Sequence, residues 1–144
     1  MTKWSEGSGL ALREPSTWLV LALSGVFVLL GLLFIFAPRA GAALFGIAAP
    51  EGLGLPYVSA IGLRDLAFGA YLAALSRLST RRAVGTVLGL TVLIPAGDVI
   101  LVFLERGFES LTHLLLHAGS GLVMAASALW LLAQSTHDNK GGFS

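Results

Sequence analysis

Apolar residues fill four long runs of the chain, and polar or helix-breaking residues separate them. The runs cover 17–36, 57–76, 83–104 and 111–133, and each is close to the ~20 residues that an α-helix needs to cross a bilayer. None of the runs alternates with a period of two, which disfavours a membrane β-barrel. The pattern therefore predicts an all-α protein, an integral membrane bundle of four helices.

Composition supports the lipid bilayer as the solvent of this chain. Of the 144 residues, 56% are hydrophobic and 12% are charged, whereas soluble domains contain about 25% charged residues. We expect a single domain over residues 1–144, with flexible polar tails at 1–9 and 135–144. The formal net charge of +1 gives no reason to expect a nucleic-acid partner, and the bilayer itself is the expected partner.

Lysine and arginine predict the orientation of the bundle. Six of these residues lie on the side of the bundle that carries both termini and the second loop. Only Arg39 and Arg106 lie on the opposite side. The positive-inside rule then predicts cytoplasmic termini, and we expect a multi-pass protein of a bacterial cytoplasmic membrane. The first loop, residues 37–56, is expected to lie in the outer interface or to fold over the bundle as a lid.

The ionisable residues within the four runs are all expected in one half of the membrane. A rise of 1.5 Å per residue places Arg64 and Asp65 roughly 10–12 Å below the outer surface. The same rise places Asp98 and His117 roughly 9 Å deep, and His113 roughly 3 Å deep. Charges within membrane spans tend to be paired, inward-facing and functional. We therefore predict that these side chains converge on one site.

Helical spacing adds candidate binding residues to this site. Tyr57 and Tyr71 each lie seven residues from Arg64, and Thr91 lies seven residues before Asp98. Residues spaced by seven share one face of a helix. Tyr57, Tyr71 and Thr91, together with the shallower histidine at position 113, are therefore predicted to bind substrate.

Proline and glycine predict how the helices pack. Pro95 lacks an amide donor and predicts a kink in the third helix beside Asp98. Gly85 and Gly89 form a GxxxG pair, which permits close approach of two helices. This pair is interpreted as packing within the bundle or, alternatively, as the seam of a homo-oligomer.

Charge counting separates a functional site from a structural one. With neutral histidines, Arg64, Asp65 and Asp98 sum to a charge of −1. An ion pair that only holds the second and third helices together needs one acid. The second acid therefore favours a site that takes up a proton, a protonated histidine or a cationic ligand, although a purely structural pair remains the alternative.

The two histidines raise the question of a metal. His113 and His117 lie four residues apart on one helix face, and Asp98 or Asp65 would be a third ligand. No acidic residue stands between the histidines, as it does in the HExxH motif. We expect no metal and no cofactor.

Motifs in three of the predicted helices resemble a known family. They are Gly62-Leu63-Arg64-Asp65-Leu66, Gly97-Asp98 and His117-Ala118-Gly119. Together they are similar to the small membrane proteins grouped as domain of unknown function 4267, over residues 18–132. The resemblance implies a four-helix membrane fold and no established activity, and its motif positions are Arg64, Asp65, Asp98 and His117. A looser likeness, in size and topology, is to the DoxX-like membrane proteins.

These residues favour a membrane-embedded acid–base enzyme of isomerase, epoxide-opening or cyclase type, with a lipophilic small molecule as its substrate. Asp98 is the expected general acid or base, with His117 as its partner. Arg64, oriented by Asp65, is expected to stabilise negative charge on a substrate oxygen.

Two other classes of function stay open. The cluster of charges is also compatible with a transport or channel module, and with a structural partner of another membrane protein. An enzyme predicts a closed pocket within one protomer, and a channel predicts a continuous polar path. A structural protein predicts fully paired charges and no cavity.

Overall fold

A computed structural model of the chain describes residues 10, 13–46, 48 and 54–140, and the side chains among them up to residue 136. These residues form α-helices and no β-strand, which confirms the predicted all-α class. The helices are α1 (Pro15–Phe36), α2 (Pro38–Phe45), α3 (Leu55–Leu78), α4 (Arg81–Thr91), α5 (Leu93–Arg106) and α6 (Leu111–Lys140). One turn of 3₁₀-helix, Gly107–Ser110, joins α5 to α6.

Local sequence explains where the helices begin. Pro15, Pro38 and Pro56 each lie in the first two positions of a helix, where the fixed φ of proline suits the helix and its missing amide costs no hydrogen bond. Thr80 precedes α4, and its side chain accepts a hydrogen bond from the Ala83 amide at 3.2 Å. This contact is a helix N-cap.

Three helical stretches are long and apolar enough to cross a membrane, namely Pro15–Phe36, Leu55–Leu78 and Arg81–Thr136. The third stretch has 56 residues and turns back on itself at Gly107–Ser110, since α4 and α5 both pack along α6. The chain therefore runs along the bundle in four passes, as predicted, and the first three agree with the predicted runs to within two residues at each end. α6 continues to Lys140, seven residues beyond the predicted run, so residues 135–140 of the predicted C-terminal tail are helical. The predicted tail 1–9 and residues 141–144 lie outside the described part of the chain. This architecture is consistent with an integral membrane protein.

The four passes associate as two pairs. In the first pair, α1 packs along α3, and Ser24 Oγ donates to the Gly69 carbonyl at 2.7 Å. The backbones approach so closely that a Cβ atom added at Gly31 would lie 2.6 Å from the Leu66 nitrogen. Small residues permit such contacts in membrane bundles.

In the second pair, α4 and α5 pack along α6. A Cβ atom added at Gly85 would lie 3.1 Å from Leu131, and one added at Gly89 would lie 3.6 Å from Ala128. The glycine pair therefore serves packing within the bundle, and α6 covers the face that was also considered as an oligomer seam.

The two pairs meet at one end of the bundle, where α1 begins and α6 ends. We call this end the terminal end. Here the Leu10 amide donates to the Ser76 carbonyl at 2.9 Å, and Arg81 forms an ion pair with Glu14. Buried apolar side chains from α1, α3, α4 and α6 form one core, and they are Val20, Leu72, Val84, Leu88, Met124, Ala128 and Leu131.

At the opposite end, which we call the lid end, α2 folds over the bundle, in agreement with one of the two expectations for the first loop. Ala42 of α2 packs with Phe34 of α1 and Val58 of α3. The helix ends at Gly46, whose φ of 94° is the left-handed conformation that glycine adopts readily. Residues 47 and 49–53 of the predicted loop lie outside the described part of the chain.

The third pass is interrupted at Val92, between α4 and α5. The Val92 amide donates to the Gly89 carbonyl at 3.3 Å, and regular bonding resumes with the Ala96 amide. Pro95 has no amide to donate to the carbonyl of Thr91, four residues earlier. The irregularity that this proline predicts is present as a break in the helix, six residues before Asp98.

Candidate functional site

A cavity of about 500 Å³ lies between the two helix pairs, beneath α2. Its volume falls within the ~300–1,000 Å³ typical of small-molecule pockets. Most of the wall is apolar, formed by Leu23, Val26, Phe27, Leu30, Phe34, Leu44, Phe45, Ile61, Ile94, Pro95, Leu116, Val123 and Met124. The polar lining residues are Arg64, Asp65, Asp98, His117 and Ser120.

The cavity brings together the four side chains that carry the family resemblance. Arg64 and Asp65 come from α3, Asp98 from α5 and His117 from α6. The charges thus converge from three helices, as predicted, and α1 contributes apolar side chains. The break before Pro95 lies beside the cavity, and this proline forms part of its wall.

Arg64 pairs with its neighbour in sequence. Its Nε and Nη2 atoms each lie 3.2 Å from Oδ1 of Asp65. The Asp65 side chain is buried, whereas that of Arg64 is 47% exposed. Both partners belong to α3, so this ion pair does not join two helices. The structural alternative, in which Arg64 pairs with Asp98 or Asp65 to hold the second and third passes together, therefore lacks support.

Asp98 faces His117 across the junction of α5 and α6. Asp98 Oδ2 lies 3.8 Å from His117 Nδ1, and both side chains are largely buried. This distance exceeds that of a direct hydrogen bond. The separation suits an intervening water molecule or the polar atom of a ligand.

The other nitrogen of His117 bonds to the backbone of α2. Nε2 lies 2.9 Å from the Phe45 carbonyl oxygen, and the Phe45 ring packs against the imidazole with 4.7 Å between centroids. A carbonyl oxygen only accepts hydrogen bonds, so Nε2 carries a hydrogen. Nδ1 therefore faces Asp98 as an acceptor when His117 is neutral and as a donor when it is protonated.

Two further side chains of the second helix pair bond to the same end of α2. His113 Nε2 donates to the Ala43 carbonyl at 3.1 Å, while its Nδ1 lies 2.9 Å from Ser110 Oγ. Arg106 Nη1 donates to the Gly46 carbonyl at 3.2 Å. These carbonyls lie at or just beyond the C-terminus of α2, where a helix leaves acceptors unsatisfied and carries partial negative charge. Together with His117, these residues hold α2 over the cavity.

The predicted substrate-binding residues do not line the cavity. Tyr57 and Tyr71 are exposed on the outer surface of α3. Thr91 is buried, and its hydroxyl donates to the Val87 carbonyl at 2.8 Å. His113 bonds to α2, as described above. Sequence spacing alone does not distinguish the lipid-facing side of α3 from the side that faces the cavity.

Sequence reasoning also missed residues that the structure brings to the site. Leu44 and Phe45 form the part of the wall supplied by α2, and Arg106 anchors that helix. The Phe45 contact to His117 uses a backbone carbonyl, which leaves no signal in residue type. The available signal was Gly46, because a glycine after an apolar turn suits a helix C-cap.

The described residues contain no group of three or more His, Asp or Glu side chains placed to hold a metal ion. The arrangement at the cavity can exchange a proton through Asp98 and His117 and donate hydrogen bonds from Arg64. These are the elements of acid–base chemistry in an apolar setting.

Comparison with known proteins identifies the family. The family described as Domain of unknown function (DUF4267) matches residues 24–131, so the chain belongs to it. No curated protein and no solved structure matches the chain.

Proposed function

We propose that this protein is a membrane-embedded acid–base enzyme, of isomerase, epoxide-opening or cyclase type, that acts on a lipophilic small molecule. The observation that carries the proposal is the pair of Asp98 and His117, held 3.8 Å apart at the wall of a mainly apolar cavity. In such a place a carboxyl group and an imidazole transfer protons to and from a bound molecule.

Each polar side chain has a distinct role in this proposal. Asp98 transfers the proton as general acid or base, and His117 is its partner. Arg64 stabilises negative charge that develops on a substrate oxygen, because its Nη1 atom takes no part in the pair with Asp65. Asp65 is a positioning residue, since it accepts two hydrogen bonds from the guanidinium group.

The packing at the terminal end favours a pocket over a channel. The core that contains Val20, Leu72 and Leu88 fills the bundle between the cavity and that end. The buried hydroxyls of Ser76 and Ser127 there donate to carbonyls of their own helices, whereas a conducting path would need a continuous line of polar side chains. The same cavity weighs against a purely structural protein, in which the charged residues would pair with each other and leave no space.

We also propose that both termini lie in the cytoplasm of a bacterial cell, with the cavity in the outer half of its cytoplasmic membrane. The distribution of lysine and arginine supports this orientation. The likeness in size and topology to DoxX-like membrane proteins fits the same arrangement and adds no activity.

A substrate screen with matched variants tests the proposed reaction. The full-length protein in lipid nanodiscs is incubated with lipophilic epoxides, enones and polyenes, and the products are followed by mass spectrometry. Asp98→Asn is expected to lower turnover by about 10²–10⁴-fold, the usual contribution of a general acid or base. Glu105→Gln changes an exposed acid on the same helix and is expected to leave turnover unchanged.

Two results would overturn the proposal. The first is that no compound of these classes is converted by the wild-type protein. The second is that conversion survives Asp98→Asn and His117→Gln, in variants that retain the helical content of the wild type.

A further inference from the structure

We infer that the cavity takes an uncharged, hydrocarbon-rich molecule with one oxygen-containing group, and that this ligand enters sideways from the lipid between α1 and α6. The inference deepens the proposed function, because it names the class of substrate for the same cavity. It concerns binding and access, which can be measured without turnover.

The part of the cavity wall where α1 and α6 border each other is apolar, and in this subsection we call it the seam. Val26 of α1, with Leu116 and Val123 of α6, lines the cavity, yet these side chains are 51%, 48% and 54% exposed. The two helices belong to different pairs. Exposed apolar side chains of a membrane-spanning helix face the acyl chains, so these residues border both lipid and cavity.

Among the described residues, the other approaches to the cavity are covered by α2 or lined by charged side chains. At the lid end, α2 covers the cavity, and water-side access would require breaking its bonds to Arg106, His113 and His117. On the side where α3 faces α5, the partly exposed ion pair of Arg64 and Asp65 occupies the wall. An apolar ligand therefore has its easiest route between α1 and α6.

The charges of the residues that line the cavity are inferred to sum to zero. Arg64 and Asp65 neutralise each other. His117 has its Nε2 hydrogen committed to Phe45, so a neutral imidazole turns the lone pair of Nδ1 toward the Asp98 carboxyl group. An ionised carboxylate opposite that lone pair would leave an unbalanced charge within the membrane. The pair of Asp98 and His117 is therefore inferred to hold one proton besides the hydrogen on Nε2, on either side chain, and the cavity as a whole is then neutral.

A neutral cavity of this kind selects the chemistry of its ligand. A cationic or anionic ligand would bring an unpaired charge into an apolar enclosure. The proton of the Asp98–His117 pair and the guanidinium group of Arg64 can each donate a hydrogen bond, which suits the oxygen of a hydroxyl, carbonyl or epoxide group. Aromatic and aliphatic side chains such as Phe27, Leu30 and Ile94 contact the hydrocarbon part.

Photoaffinity labelling tests the charge of the ligand. Three diazirine probes share one alkyl chain and end in a hydroxyl, a sulfonate or a trimethylammonium group. Each is added to the full-length protein in nanodiscs, and labelling of cavity residues is normalised to labelling of lipid. We expect the alkanol to label α1 and α6 about 100-fold more than either ionic probe. Equal labelling by an ionic probe would overturn the neutral-ligand inference.

A pair of tryptophan variants tests the route. Val123→Trp fills the seam, whereas Leu122→Trp adds the same bulk at the adjacent exposed position, which does not line the cavity. We expect Val123→Trp to slow the initial rate of alkanol labelling about tenfold and Leu122→Trp to leave it unchanged. An unchanged rate for Val123→Trp, combined with faster labelling after Gly46→Ala loosens α2, would place access at the lid end and contradict the lateral route.

Spectroscopy tests the protonation of the Asp98–His117 pair directly. The chain has three histidines, so ¹⁵N-histidine NMR with a His117→Gln variant assigns the signals of His117. Difference infrared spectra with Asp98→Asn identify the carboxyl group of Asp98. We expect either an imidazolium with a carboxylate or a neutral imidazole with a protonated carboxyl group. A neutral imidazole together with an ionised Asp98 would overturn the charge balance.

These measurements separate the two proposals. Selective labelling by the alkanol, without turnover of any screened compound, would remove the proposed reaction and leave the binding inference standing. Turnover of a lipophilic compound without labelling by the alkanol would support the proposed reaction and overturn the binding inference.

Discussion

The terminal end and the lid end of the bundle use the same four passes in different ways. At the terminal end, side chains such as Leu72, Leu88 and Leu131 are fully buried in one core. At the lid end, the two helix pairs line a cavity. Backbone carbonyls at the C-terminal end of α2 accept hydrogen bonds there from side chains of α5 and α6. The first region is held mainly by one large apolar core, and the second by a smaller apolar cluster together with the polar contacts of α2.

The comparison shows how a short membrane protein combines rigidity with an internal space. Close glycine contacts extend along α1 and α3 at Gly31, Gly62 and Gly69, so the first pair is tightly joined over most of its length. The second pair contains the break at Val92 before Pro95, beyond which α5 forms cavity wall. One pair is thus a continuous support, and the other changes its packing halfway.

The largest expected effect is on the free energy of unfolding, when one leucine at each end of the bundle is replaced by alanine. Leu88→Ala removes a fully buried side chain from the core and is expected to lower the free energy of unfolding by about 2–5 kcal/mol. Leu116→Ala enlarges an existing cavity at a half-exposed position, and about 1 kcal/mol or less is expected. Unfolding in mixed micelles measures both values, and similar losses would contradict the division into a packed end and a cavity end.

A smaller effect is expected from two glycines of α1. The Cβ atom of Gly31→Ala would meet the backbone of α3 at 2.6 Å, so a loss of about 1–3 kcal/mol is expected. Gly25 has no atom within 4 Å of its added Cβ, and Gly25→Ala is expected to stabilise the helix by about 0.5–1 kcal/mol. The same unfolding measurement gives both signs. A stable Gly31→Ala variant would show that the first pair is looser than described.

The smallest effect is expected at α2. His113→Ala removes the bond to the Ala43 carbonyl, which contributes about 1 kcal/mol. We expect the amides of α2 to exchange about fivefold faster while the core amides of the terminal end are unaffected. Leu115→Ala, at an exposed position two residues along the same helix, is the control. If exchange rises equally throughout the bundle, α2 is not an independently held element.

Much of the fold follows from the sequence because the bilayer imposes simple rules on it. Four apolar runs of near-spanning length give four passes, and the prolines explain both helix starts and the break before Asp98. The convergence of Arg64, Asp65, Asp98 and His117 followed from their depth, since residues at one depth in adjacent helices lie close together.

Other features do not follow from the sequence. The depth of a residue does not determine its direction around the helix, so Tyr57 and Tyr71 were assigned to the site although they are exposed. In a lipid environment both sides of a helix are apolar, and periodicity is therefore a weak guide. Asp65 was expected to orient Arg64, but in the structural alternative the partner of Arg64 was open between Asp98 and Asp65, and the geometry selects Asp65. The bonds to α2 involve backbone carbonyls, which are common to all residues.

The attachment of α2 has a consequence for the order of folding. Its carbonyls bond to residues that lie 60, 70 and 72 positions further along the chain, and closing such long loops costs more entropy than forming local contacts. During synthesis α1, α2 and α3 precede their partners Arg106, His113 and His117. The first helix pair can therefore form, with Ala42 of α2 packed against Phe34 and Val58, before the donors exist. The hydrogen bonds that hold α2 over the cavity form only after α6 has been inserted, so assembly of the cavity is a late step.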